Sequence, residues 1–359
     1  MKLNVIGTRG FPGIEGGVEK HCESLYPLIR KDISVNIYRR RSYVKTRDSY
    51  SNILFIDLPS TRIRGIETVI HSFLASVLTL LQKPDVVHYH NIGPALFSPI
   101  VKLRKIPVVL TYHSPNYEHK KWGDFAKKIL LFSEKVALKT ADKIVFVNSF
   151  QMEKYNEDIR IKSVFVPNGI GNTIQTDKVD YLTSLKLEKN KYILSVGRIT
   201  PEKGFDTLIR AYREAKLQSY KLVIAGGVEF ENKYQKELES LANDEDVIFT
   251  GYVFGENLAQ LYMNAAIYVL ASNNEGFPLV LLEAMSYGLD VLVSDIPATH
   301  LVDLESDDYF ETGNYQELSA KLIKRVSSNK KREYNLEKYN WHEIAETMSN
   351  IYYEVVEKR

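Results

Sequence analysis

Short runs of apolar residues rich in Val and Ile, six to eight long, alternate with helix-length stretches through most of the chain. The first series is KLNVIG (Lys2–Gly7), SVNIYRR (Ser34–Arg40), ILFIDLP (Ile53–Pro59), DVVHYHN (Asp85–Asn91), IPVVLTYH (Ile106–His113), KIVFVNS (Lys143–Ser149) and SVFVPNGI (Ser163–Ile170). After a polar stretch at 172–190 the pattern restarts with YILSVGR (Tyr192–Arg198), KLVIAGG (Lys221–Gly227), VIFTGYV (Val247–Val253), IYVLAS (Ile267–Ser272) and DVLVSD (Asp290–Asp295). Near-continuous apolar strands separated by helices predict parallel sheets covered on both faces, an α/β doubly wound architecture. Helices are expected over 17–29, 66–81, 125–138 and 206–216, and from near Pro278. Another is expected over 340–356, where Ile344, Met348, Ile351, Tyr352 and Val355 have helical spacing. A length of 359 residues fits two such units. The boundaries read from sequence are 1–170, 171–340 and a terminal helical segment, 341–359.

Composition narrows the class. With 44% hydrophobic and 26% charged residues the chain has the make-up of a globular protein rather than a disordered one. The single cysteine, Cys22, excludes an internal disulfide, fits a reducing compartment and reads as a small core residue. No charged-then-apolar leader precedes the first strand. The longest apolar stretch, Gly65–Leu81, contains Glu67 and His71, is short for a membrane span, and reads as a buried or interfacial helix. The net charge of +2 hides an asymmetry: residues 1–170 carry +11 and the remainder −9. A basic first half suggests an anionic partner such as a membrane surface or a phosphorylated acceptor. A nucleic-acid binder fits poorly, since no recognition motif accompanies the charge.

Ligands bind beyond the carboxyl ends of strands in open α/β sheets, and four loops there are chemically unusual. GTRGFPGIEGG (Gly7–Gly17) is glycine-rich and runs into a helix, whose free N–H groups favour an anion. Its glycines at 7, 10, 13, 16 and 17 do not have the dinucleotide spacing. VGRITPEKG (Val196–Gly204) places Arg198 and Lys203 where two cations can clamp a diphosphate. NNEGFPLVLLEAMSYG (Asn273–Gly288) carries Glu275, then Pro278 at a first helical turn, then Glu283 two turns further on. Such carboxylates need partners, either sugar hydroxyls or cations in a structural pair. TYHSPNYE (Thr111–Glu118) puts His113 at a strand end, where it lines a cleft or simply packs. His88 and His90 alternate on one strand face, but a metal site needs a third ligand and the sequence offers no obvious one.

Taken in order, GIEGGVE, DVVHYHN, VPNGI, VGRITPEKG, FTGYV and EGFPLVLLEAMSYG resemble glycosyltransferase family 4, a retaining family of the GT-B fold, and Glu275 to Glu283 fits its E-x7-E signature. The resemblance implies two Rossmann-like domains facing across a cleft, the last helix crossing back to the first domain. It implies that Arg198 and Lys203 hold the donor diphosphate and that Glu283 accepts hydrogen bonds from the ribose. Glu275, with the backbone of Gly276, Phe277, Pro278 and Leu279, would hold the transferred sugar. Gly251, Tyr252 and Val253 would border the base, and Gly16 and Gly17 would approach the phosphate and reacting sugar. His113 would lie near the sugar's reacting face. The catalytic set is thus Glu275, His113, Arg198 and Lys203, with no metal and no cofactor beyond the nucleotide-sugar donor. The opening segment GTRGFPGIEGGVEKHCESLYP also resembles rhamnosyltransferases of bacterial surface polysaccharides such as O-antigen and capsule.

The expected reaction is transfer of a sugar from a nucleotide-diphosphate donor to a saccharide acceptor. The fixed cations would take up the charge that develops on the departing phosphate. The basic residues Arg39–Arg41, Lys102, Arg104, Lys105, Lys120, Lys121, Lys127 and Lys128, with the apolar 66–81 helix, suggest a lipid-linked acceptor. The protein is then expected in the cytoplasm, peripheral on the inner face of the membrane. Rival readings are a nucleotide-sugar epimerase, a non-catalytic nucleotide-sugar-binding module, and an NADP oxidoreductase with Arg39–Arg41 on a 2′-phosphate. The glycine spacing weighs against the last.

Overall fold

The structure is a computed structural model, described for all residues except 15, 45–48, 62, 64–65, 116, 118–122, 172, 229–232, 243–244, 329 and 359. The chain divides into two compact units, Met1–Gly169 with Glu337–Arg359, and Ile170–Leu336.

In unit 1 the strands are β1 (Lys2–Ile6), β2 (Ser34–Arg40), β3 (Ile53–Leu58), β4 (Val86–His90), β5 (Val108–Tyr112), β6 (Lys143–Phe146) and β7 (Ser163–Phe165). The helices between them are α1 (Gly17–Leu25), α2 (Ile66–Gln82), α3 (Ser98–Lys102), α4 (Asp124–Thr140), α5 (Ser149–Glu153) and α6 (Glu157–Arg160). All seven strands pair in parallel in the order β3-β2-β1-β4-β5-β6-β7. Strands β1, β2, β4 and β5 are buried almost throughout, as a sheet covered on both faces requires. Predicted helix 17–29 ends early: Pro27 cannot donate to the helical ladder, and a short 3-10 turn, Tyr26–Leu28, replaces the last turn.

Unit 2 contains α7 (Asp180–Ser184), β8 (Tyr192–Val196), α8 (Phe205–Ala215), β9 (Lys221–Ala225), α9 (Lys233–Ala242), β10 (Val247–Phe249) and α10 (Gly255–Asn264). It continues with β11 (Ile267–Leu270), α11 (Leu279–Ser286), β12 (Val291–Ser294), β13 (Tyr309–Phe310) and α12 (Tyr315–Arg325). Its six strands are also parallel, in the order β10-β9-β8-β11-β12-β13. A buried ionic knot closes the far end of this unit. Arg325 pairs with Asp290 and with Asp308 at 3.0 Å, and Arg332 reaches Asp308 at 2.6 Å. The knot ties α12 and the 331–334 segment to the start of β12.

The last helix, α13 (Trp341–Glu357), belongs to unit 1, where Trp341, Ile344, Ala345, Met348, Ile351, Tyr352 and Val355 join the core formed by Val5, Leu25, Val35 and Val109. Hydrogen bonds reinforce it, from Arg30 N to Ser349 Oγ at 3.3 Å and from Lys143 Nζ to Glu354 at 3.3 Å.

Burial corrects the basic set read from sequence. Arg39 and Arg40 are buried and paired, Arg39 with Asp57 at 2.7 Å and Arg40 with Glu67 at 3.2 Å, so neither offers charge to a surface. Lys102 is paired with Asp142 at 2.8 Å. Lys120 and Lys121 lie outside the described residues. No helix among the described residues is long and apolar enough to cross a membrane.

Candidate functional site

In each unit the strand order reverses direction once, between β1 and β4 in unit 1 and between β8 and β11 in unit 2. Diverging connections leave a crevice at such a switch point, beyond the carboxyl ends of the strands. The unusual loops fall there. Gly7–Gly17 follows β1 and His90 ends β4; Arg198 and Lys203 follow β8 and Glu275 follows β11.

In unit 2 the loops are drawn together by contacts that only glycine permits. Gly204 has φ +61°, and a Cβ on it would lie 2.0 Å from the Ala271 carbonyl oxygen; a Cβ on Gly226 would lie 1.8 Å from that of Gly197. The backbone N–H of Asn273 donates to the Glu202 carbonyl at 2.8 Å, joining the β8 loop to the β11 loop. Across this junction Lys203 Nζ donates to Glu275 Oε1 at 2.5 Å, and Ser272 Oγ donates to the same oxygen at 2.7 Å. Two residues singled out separately in the sequence are thus partners, both largely buried, with side-chain exposures of 18% and 11%. The Lys203 stem lies over Gly197, where a Cβ would meet the Lys203 Cε at 3.3 Å. Arg198 is exposed.

Glu283 is half-buried on α11 and accepts a hydrogen bond from Tyr262 Oη at 3.1 Å. Pro278 does not enter the helix, contrary to the sequence reading: with ψ 81° it is the residue before α11, and Leu279 begins the helical turn. Phe277 is buried and Gly276 half-buried beside Glu275. Beyond β10, Gly251 has φ +68° and bridges to Gly226, and Tyr252 lays its ring over Gly227 while remaining 40% exposed. Tyr252 stacks on Phe254 at 6.2 Å, and Val253 between them is half-buried.

In unit 1 the glycine loop is closed by Glu19, whose carboxylate accepts from the Arg9 backbone at 3.0 Å and pairs with its guanidinium at 3.2 Å. Gly16 has φ +141°, a backbone region that favours glycine, and a Cβ there would lie 2.1 Å from Glu19 Oε2. The N-cap of α1 is Gly16, which has no side chain to cap it, and Gly17 at the helix start is exposed. His113, half-buried just past β5, meets His90 from the end of β4: His113 Nε2 and His90 Nδ1 are 3.0 Å apart.

The third histidine that the sequence did not suggest is His21. It lies one turn into α1, and its ring packs edge-on to His113 at 4.9 Å and against His90 at 5.4 Å. One ring nitrogen from each of His21, His90 and His113 lies within 4.8 Å of the others, close enough to share a transition-metal ion. Burial lowers His21 to about 4 and His88 to about 3, and holds His90 and His113 well below the ordinary histidine range. All four are therefore neutral near pH 7.

Two family profiles match, one on each unit: "Glycosyltransferase Family 4" over residues 15–171 and "Glycosyl transferases group 1" over residues 182–341. The chain belongs to glycosyltransferase family 4, and its paired parallel sheets are those of the GT-B fold. An uncharacterised glycosyltransferase of Methanocaldococcus jannaschii is 26% identical over 98% of both chains. Among solved structures, sucrose-phosphate synthase from Thermosynechococcus elongatus aligns over 100% of both chains at 18% identity, with a TM-score of 0.81. Anabaena HepE in complex with UDP-glucose aligns over 100% of both at 16% identity, with a TM-score of 0.74. The protein is a glycosyltransferase.

Proposed function

We propose that this glycosyltransferase is retaining and metal-independent, with Lys203, Arg198, Glu275 and His113 as its catalytic groups. The observation that carries the reading is the Lys203–Glu275 pair at the switch point of unit 2, bonded at 2.5 Å and largely buried. A cation and an anion so placed have complementary tasks on a sugar diphosphate. The ammonium, with the exposed Arg198 guanidinium, stabilises negative charge as the phosphate leaves. The carboxylate, released from its partner, accepts hydrogen bonds from sugar hydroxyls, with the Gly276, Phe277, Pro278 and Leu279 backbone beside it. Glu283 takes the ribose, and Gly251, Tyr252 and Val253 border the base. From unit 1, Gly16, Gly17 and His113 serve the phosphate and the reacting sugar. With two cations on the diphosphate, no metal is required.

The acceptor in this proposal is a lipid-linked saccharide of bacterial surface polysaccharide synthesis, reached from an anionic membrane surface. Two observations support it. Helix α2 exposes Ile66, Val69, Ile70, Phe73 and Leu81, and α4 exposes Phe125, Ile129 and Phe132, with α3 packed between them. Exposed Arg104, Lys105 and Lys128 flank that apolar area.

The experiment is donor turnover with a panel of UDP-, GDP- and dTDP-sugars in the presence of EDTA, with the anomeric configuration of the product read by NMR. Transfer with the donor's configuration is expected. Inversion, or activity that disappears with the chelator and returns with a divalent ion, overturns the assignment.

A further inference from the structure

The three histidines at the switch point of unit 1 come from three separate elements: His21 from α1, His90 from the end of β4 and His113 from just past β5. Two of them are tied on one side. His21 Nδ1 lies 2.6 Å from Asn168 Oδ1, and His90 Nε2 lies 2.6 Å from Tyr26 Oη. That leaves His21 Nε2 and His90 Nδ1, and the latter faces His113 Nε2 at 3.0 Å. His21 Nε2 is the anomaly. It belongs to a residue only 4% exposed, is itself buried, and has no hydrogen-bond partner among the described residues, a costly state for a polar atom.

A shared metal ion supplies the missing partner. Zinc binds imidazole nitrogen at about 2.0–2.1 Å in tetrahedral geometry, which sets ligand nitrogens ~3.3 Å apart and imidazole ring centres ~5.2 Å apart. The ring centres here are 4.9 Å apart for His21 and His113, 5.3 Å for His90 and His113, and 5.4 Å for His21 and His90. One nitrogen of each ring lies within 4.8 Å of the others, so ring rotations that move a nitrogen by about 1.5 Å or less complete the triangle. The outer contacts fit as well. Asn168 Oδ1 accepts from an Nδ1–H of His21, and Tyr26 Oη can accept from an Nε2–H of His90, the kind of bond that orients a metal-bound imidazole. Without the ion, one proton lies between His90 Nδ1 and His113 Nε2; whichever ring carries it there transfers it to its outer nitrogen when the ion binds. Three nitrogen ligands leave a fourth position for water. They select Zn2+ and its late first-row neighbours over Mg2+ and Ca2+, which need oxygen ligands.

We propose that His21, His90 and His113 form an inhibitory site for Zn2+, completed by one water. The site rests on this geometry alone; the inhibition rests on the function proposed above. In that function His113 serves the reacting sugar, whose anomeric carbon becomes positive as the phosphate leaves. A dication held by His113 opposes that charge and fixes the ring to its two neighbours.

The test is titration of metal-stripped protein with Zn2+ near pH 7, followed by calorimetry, by X-ray absorption of the loaded protein and by donor turnover at each zinc level. One Zn2+ per chain bound by three imidazoles is expected, with no binding of Mg2+ at the same concentrations. Turnover is expected to fall about tenfold or more at saturation and to return with EDTA. His21→Phe keeps a ring against Trp341 and removes one ligand. It is expected to bind zinc about 100-fold more weakly, since loss of an outer-shell partner alone costs ~10–100-fold, and to turn over donor in EDTA without zinc inhibition. Cys22→Ser removes the single thiol and is expected to bind zinc as the unaltered protein does. Fewer than three imidazoles around zinc in the unaltered protein, or equal zinc affinity in His21→Phe, overturns the site. Bound zinc that leaves turnover unchanged overturns the inhibition. A three-imidazole site in a protein without transferase activity in EDTA counts against the proposed function and leaves the site standing.

Discussion

Lowering the pH from about 7 to about 5.5 should weaken unit 1 selectively. Its interior holds His21, His71 and His88, lowered by burial to about 4, about 4 and about 3. In the unfolded chain each titrates near ~6.5. The folded values are depressed, so the unfolded state binds protons first. Stability is complete above the unfolded value and is lost as pH falls from there towards the folded ones. Between about pH 7 and about pH 5.5 each buried histidine costs about 1.2 kcal/mol, so these three together cost about 4 kcal/mol. That is a large share of the ~5–15 kcal/mol that holds a typical domain together. His90 and His113, shifted the same way, add to it. The assay is urea denaturation followed by tryptophan fluorescence. Both tryptophans, Trp122 and Trp341, fall within the residue ranges of unit 1, so the signal reports that unit. A midpoint that moves less between about pH 7 and about pH 5.5 than the loss of about 1 kcal/mol would produce refutes the argument that these rings are held neutral.

Other substitutions probe the remaining claims. Lys203→Ala should lower turnover at saturating donor at least ~100-fold, measured as released nucleotide, because in the proposed function the developing phosphate charge then loses one of its two cations. Gly204→Ala should destabilise unit 2 by about 2 kcal/mol in thermal melts, since its Cβ would meet the Ala271 carbonyl oxygen at 2.0 Å from a left-handed backbone. Asp308→Ala should cost ~3–5 kcal/mol by leaving Arg325 and Arg332 buried with one carboxylate fewer. Replacing Phe125 and Phe132 by Ser should halve or further reduce sedimentation with anionic vesicles while leaving donor turnover in solution unchanged.

The β-strands were legible because a sheet covered on both faces demands unbroken apolar runs, and little else in a globular chain looks like one. Ser34–Arg40 illustrates both the strength and the limit of that signal. The strand runs over those residues, yet its closing arginines face inward to Asp57 and Glu67. Sequence gives the charge of Arg39 and Arg40 but not the carboxylates that meet them, Asp57 on β3 and Glu67 on α2, and so misassigns them to the surface. Helices α9 and α12 escaped the strand-centred reading because their apolar faces are narrow and their charged faces wide, as in KYQKELESLA. The two-residue β13 is too short for any periodicity to register.

The site divides along the same physical line. Arg198, Lys203, Glu275 and Glu283 could be singled out because charged groups next to glycine turns at strand ends are costly to hold in place. That Lys203 and Glu275 bind each other could not be read, because 72 residues separate them and only the adjacency of β8 and β11 brings them together. His21 was harder still. In GVEKHCESL it has the position of any polar residue on an amphipathic helix, and its meaning comes from where β4 and β5 end. Since β1 lies beside β4, and β4 beside β5, the helix that follows β1 must start over the ends of both. A histidine one turn into it then meets the last residue of β4 and the first residue past β5. The cluster is thus a consequence of strand order, which is why a search of the sequence for a third ligand at local spacing missed it.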